Sequence, residues 1–71
     1  MSETFVPPSS SQVASATYDA DSEDLTVHFT DGSKYLYRNV ARQTWRGFQL
    51  APSAGAYLAR HVKGRHPHER L

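Results

Sequence analysis

The chain has 71 residues, enough for one domain with a small core, since a chain of this length buries only roughly 60% of the surface its unfolded form exposes. It is 38% hydrophobic and 21% charged with a formal net charge of +1, which is not the profile of a disordered tail, and it has no cysteine, which excludes a disulfide framework, a thiolate nucleophile and a cysteine-based zinc site. No apolar stretch approaches the roughly 20 residues of a membrane span, and Met1 to Phe5 lack a basic segment followed by an apolar one, so the chain reads as a soluble, cytoplasmic protein.

Residues 1–11 read as a flexible leader, because Pro7-Pro8 followed by Ser9-Ser10-Ser11 favours turn or extended chain. Val13 to Asp19 is a strand, with Val13, Ala16 and Tyr18 as its buried members. Asp19 to Asp24 is an acidic turn. Leu25-Thr26-Val27-His28-Phe29 alternates apolar and polar at period two, the clearest strand signal of the chain. Asp31-Gly32 is a strong hairpin signal, and Lys34 to Arg38 is the third strand. The hairpin loop decides which way the tyrosines face. A two-residue loop pairs Val27 with Leu36 and places Lys34 and Arg38 on the apolar face, which is costly. A three-residue loop, Thr30-Asp31-Gly32, pairs Val27 with Tyr35 and Leu25 with Tyr37 and needs a left-handed residue at Gly32, which glycine supplies. The second register keeps one face apolar and is preferred. It makes Tyr35 and Tyr37 core or core-edge residues and turns Lys34, Leu36, Arg38 and His28 to solvent.

After Val40 the period changes. Ala41 to Leu50 fits a short helix that packs Trp45 and Phe48 on the sheet and presents Arg42 and Arg46 four apart. Gly47 weakens it by about 1 kcal/mol relative to alanine. Pro52 ends it, and Ser53 caps a second helix from Ala54 to about Val62 with Leu58 and Val62 inward. Lys63-Gly64 closes that helix, and residues 66–71 read as a loose basic tail. The expected architecture is α+β: a three-stranded antiparallel meander followed by two short helices, β-β-β-α-α, in one domain over residues 12–65.

The ordered series Val13…Tyr18-Asp19, Leu25-x-Val27-x-Phe29-x-x-Gly32, Tyr35-x-Tyr37 with Asn39-Val40, Trp45, Ala51-x-Ser53-x-Gly55-x-Tyr57 and Val62 resembles the KTSC domain over about residues 11–66. Two positions depart from the family pattern. Ala41 stands where proline is expected, which implies a less sharply started first helix, and His66 stands where an aromatic is usual, which implies a weaker C-terminal anchor. The resemblance implies a small module that occurs alone and at the C-terminus of some lysyl-tRNA synthetases. It carries no established activity, and the synthetase fusion suggests RNA.

Charge points the same way. Residues 1–33 carry Glu3, Asp19, Asp21, Glu23, Asp24 and Asp31 and no Lys or Arg, whereas Lys34, Arg38, Arg42, Arg46, Arg60, Lys63, Arg65 and Arg70 face only Glu69 in the remainder. Such asymmetry suggests a basic surface that meets a polyanion, unless the two halves neutralise each other across the fold. The expected nucleic-acid-binding residues are Lys34, Arg38, Arg42, Arg46, Arg60, Lys63 and Arg65, through backbone phosphates. Ser53 and Gly55 open a helix and form a possible phosphate seat, with close helix packing as the competing use of Gly55. Tyr35 and Tyr37 are possible base-stacking rings, against the core role of the register argument. His61, His66 and His68 lack an acidic or cysteine ligand to complete a metal set, so no metal or other cofactor is expected. No serine–histidine–acid arrangement or glycine-rich nucleotide loop is present, and no catalytic residue is assigned. The leading expectation is a noncatalytic RNA-binding module. The alternative is an adaptor that docks on an acidic patch of a larger protein.

Overall fold

The computed structural model describes residues 2–7, 12–64 and 66–71. Five strands run in the order β1 (Ser2–Phe5), β2 (Val13–Asp19), β3 (Asp24–Phe29), β4 (Lys34–Tyr37) and β5 (His68–Arg70), each antiparallel to its neighbour, with helices α1 (Arg42–Leu50) and α2 (Ala54–His61) between β4 and β5. The α+β class and the central meander are as expected, but the sheet has five strands rather than three. The two extra strands come from the segments read as leader and tail. β1 pairs with β2 from Ser2↔Asp19 to Phe5↔Ala16, and β5 pairs with β4 from Tyr35↔Arg70 to Tyr37↔His68. Of the expected leader, Met1 and residues 8–11 lie outside the described residues.

The hairpin follows the three-residue loop. Leu25 faces Tyr37 and Val27 faces Tyr35, the Phe29 N–H donates to the Ser33 carbonyl at 2.9 Å, and Gly32 takes φ +92°. In β2, Val13 and Ala16 are an odd number of residues apart, which a regular strand would place on opposite faces. A register shift between Val13 and Ser15 accommodates the extra residue, so Val13, Ala16 and Tyr18 all point inward, 2%, 0% and 0% exposed.

Both helices lie on this apolar face. α1 buries Trp45 and Phe48. Trp45 stacks on Tyr18 with ring centres 5.3 Å apart, and Phe5 of β1 meets both Trp45 and Phe48 edge-on. α2 buries Ala54, Gly55 and Leu58. The buried Tyr18 hydroxyl donates to the Val40 carbonyl at 2.6 Å, which satisfies a polar group that would otherwise be costly there. The N-cap of α1 is Ala41, which makes no side-chain cap, whereas the Ala56 N–H donates to Ser53 Oγ at 3.3 Å to cap α2. Among the described residues no helix is long and apolar enough to cross a membrane.

Candidate functional site

The side chains of β4 and β5 that face the helices sit beside the rings of β3 and build a cleft. Tyr35 meets Phe29 edge-on with centres 5.7 Å apart, stacks beside Tyr37 at 6.4 Å, and lies 6.2 Å from the His68 ring. His68 is 5.7 Å from Tyr37. Lys63, just past α2, holds its ammonium 5.1 Å from the centre of the Phe29 ring, a cation–π contact. Gln12, Thr30, Asp31, Ser33 and Gly64 complete the walls of a space of about 590 Å³. The register places Arg70 opposite Tyr35 on the same face, and its charge acts on Asp31. An open cleft thus forms where β5 extends the sheet.

The two tyrosines differ within it. Tyr37 is 2% exposed, so its ring is the floor, and burial raises its hydroxyl pKa above 10.0. It is core, as the register argument required, and has no free ring face on which a base could stack. Tyr35 is half-buried and, with Phe29 and His68, supplies the accessible ring surface. At the rim the Ser33 N–H and hydroxyl donate to Asp31 Oδ1 at 2.9 and 2.6 Å, and these bonds hold the carboxyl below its ordinary range.

The expected cationic residues do not form one surface. Lys34 and Arg38 lie on the face of the sheet away from the helices, where Arg38 pairs with Glu69 of β5. On the same face Leu36 is half-buried rather than exposed. Arg42 and Arg46 line a separate cleft of about 450 Å³ with Glu3, Trp45, Gln49 and Leu50, where the Trp45 indole N–H donates to Glu3 Oε1 at 3.3 Å. Arg60 is exposed on α2, Lys63 belongs to the aromatic cleft, and Arg65 lies outside the described residues. Among the described residues no carboxylate lies within ion-pair distance of Lys34, Arg42, Arg46, Arg60 or Lys63. The acidic first half thus does not cover these cations, but they are dispersed over several surfaces.

The phosphate seat at Ser53 and Gly55 is also corrected. Gly55 is buried, and a Cβ there would come 2.6 Å from the Gln12 side-chain oxygen, so its lack of a side chain serves close packing of α2 on the start of β2. Among the described residues no three His, Asp or Glu side chains converge in a way that could hold a metal: His61 packs on Tyr57 at 4.3 Å and His68 on the cleft tyrosines. Sequence reasoning missed Phe29 and His68 as cleft residues, and Arg70 as their neighbour on the same face. His68-Glu69-Arg70 is polar throughout and has no apolar period to mark it as a strand, so the sequence carried no local signal for His68.

Over 67 residues the chain is 31% identical to a lysine–tRNA ligase of Trichormus variabilis; the match takes in 94% of this chain and 12% of that protein. The crystal structure of a KTSC domain protein from Yersinia pestis superposes with a TM-score of 0.88 at 26% identity, covering 100% of this chain and 99% of that one. The model of the KTSC domain family matches residues 9–66, a span that runs from before β2 to just beyond Lys63 and holds every helix and central strand described above, and the chain belongs to that family.

Proposed function

We propose that the chain is a small noncatalytic module for single-stranded nucleic acid, RNA first, that stacks bases on Phe29, Tyr35 and His68 and meets the adjoining phosphates with Lys63 and Arg70. The observation that carries this reading is the aromatic cleft with a cation above it. Aromatic rings accept any base face, and nearby cations follow the backbone, which is the combination single-strand binders use. The similarity to a stretch of a protein named for tRNA supports RNA as the first ligand to try. The reading is narrower than a general basic surface. With these two cations in reach, the salt dependence is shallow, a slope of roughly −1.4 on logarithmic axes. The test is a salt titration of a labelled single-stranded oligoribonucleotide. Binding at about 50 mM salt whose slope falls by about one in Lys63→Ala supports the proposal; no binding there, or a slope untouched by that change, refutes it.

A second reading has its own observation. Leu50 is 84% exposed beside Arg42 and Arg46, a composition suited to an acidic protein segment with an apolar anchor. The two readings use different surfaces. Arg42→Glu with Arg46→Glu affects only the adaptor, and a partner retained after nuclease treatment but lost in that variant favours it.

A further inference from the structure

The cleft has one polar wall, and its chemistry is that of an acceptor. Asp31 stands in the β3–β4 loop, fixed from both sides. Gly32 supplies the left-handed backbone at φ +92°, and the Ser33 N–H closes back on Oδ1 at 2.9 Å, an Asx-type turn reinforced by the Ser33 hydroxyl at 2.6 Å. Both Ser33 bonds end on the same oxygen, Oδ1. Ser33 thus holds the side chain by one oxygen and leaves the other at the rim of the cleft. An ionised carboxylate has no proton to donate and accepts only. Its charge also disfavours phosphate beside it. The backbone of a bound strand is thereby directed toward Lys63 and Arg70, and the edge of a stacked base toward Asp31.

We infer that Asp31 makes this cleft selective for bases that present an exocyclic amine, so that cytosine, adenine and guanine are preferred to uracil; the inference rests on the nucleic-acid reading above. Cytosine and uracil make the sharpest comparison. They share ring size and stacking area but differ at position 4, where cytosine carries an amino donor and uracil a carbonyl oxygen. A carboxylate accepts from the first and repels the second. The remaining polar side chains of the wall, Gln12, Thr30 and Ser33, can each donate or accept and do not impose this sign.

The test measures binding of labelled oligo(rC) and oligo(rU) of equal length to the full chain and to Asp31→Asn. Asparagine keeps an oxygen for the Ser33 N–H and places an amide donor where the other carboxylate oxygen stood. The wild-type chain is expected to hold oligo(rC) roughly fivefold more tightly than oligo(rU), the low end for a base-edge contact because Asp31 is solvent-exposed. Asp31→Asn is expected to level or invert that ratio. Titration of the unaltered chain with CMP and UMP, read at the Ser33 amide resonance, checks the same contact without a variant, and only CMP is expected to move it strongly. Equal affinities for the two oligomers, or a ratio unchanged in Asp31→Asn, overturn the base preference and leave the nucleic-acid reading standing. Failure of both oligomers to bind overturns that reading and the preference with it.

Discussion

Gly47 sets two physical effects of opposite sign against each other. It lies within α1, where glycine costs about 1 kcal/mol relative to alanine, so helix propensity alone predicts that Gly47→Ala stabilises. The packing predicts the reverse. A Cβ on Gly47 would overlap the Tyr57 hydroxyl of α2 and sit 2.8 Å from Cζ of the same ring. That ring has little room to retreat, because Phe48 and His61 lie against it with ring centres 6.4 and 4.3 Å away. Overpacking of this kind costs roughly 1–3 kcal/mol. The expected net effect of Gly47→Ala is a loss of about 0–2 kcal/mol, the difference between the two terms. In a Tyr57→Ala background the obstruction is gone and the same change should stabilise by about 1 kcal/mol. Urea denaturation of the four proteins of this cycle gives the coupling directly. Stabilisation by Gly47→Ala in the wild-type background, or the same effect in both, would refute the claim that this glycine is there for the close approach of α1 and α2.

Two other expectations concern the added strand and the buried phenols. Phe5→Ala should cost about 2 kcal/mol, roughly half the value for a fully buried phenylalanine, because Phe5 is half-buried against Trp45 and Phe48. A thermal melt indistinguishable from wild type would mean that β1 does not cover the core in solution. Burial raises the hydroxyl pKa of both Tyr18 and Tyr37 above 10.0, Tyr18 also through the nearby Glu23 carboxylate. A raised folded-state pKa contributes stability that is complete below the unfolded value and is lost as pH rises toward the folded one. Denaturation midpoints should therefore hold up to about pH 10 and fall above it, and Tyr37→Phe should blunt the fall. A midpoint that stays flat to pH 11.5, about one and a half units above that value, would contradict the burial of these hydroxyls.

Much of the meander was legible because its signals are local. Leu25 to Phe29 alternates, Asp31-Gly32 specifies the loop, and the charges of Lys34 and Arg38 exclude the other register. Ser53 and Pro52 marked the boundary between the helices in the same way. β1 and β5 were not legible, because Ser2-Glu3-Thr4-Phe5 and His68-Glu69-Arg70 have almost no apolar period of their own. Edge strands like these gain their order by pairing with a sheet that already exists, which is tertiary information. The cleft inherits that limit. Tyr35 was named early, but its partners Phe29, His68 and Arg70 come together only when β5 docks on β4. The expectation of one cationic surface failed for a related reason. Charge counted along the chain carries no record of which face of a strand or helix each residue occupies.

The aromatic side chains separate into two sets, and the separation gives the functional reading a means of refutation. Phe5, Tyr18, Trp45, Phe48 and Tyr57 form one connected series beneath and between the helices. Phe29, Tyr35 and Tyr37 form another with His68, and among the described residues no ring contact joins the two. If the second set is a binding surface, stability and affinity must respond to different substitutions. Tyr35 and Val27 are direct cross-strand partners on the same face, but Val27 is fully buried and Tyr35 is not. Val27→Ala should cost about 2 kcal/mol, two buried methyl groups with a small cavity, and leave the affinity of the folded molecules for an oligoribonucleotide unchanged. Tyr35→Ala should cost less in stability and lower that affinity by the roughly 1–3 kcal/mol of one stacked base. Thermal melts and anisotropy titrations on the same two variants decide the matter. If Tyr35→Ala unfolds the domain more readily than Val27→Ala and binds as tightly as wild type, the cleft is only an imperfectly covered part of the core.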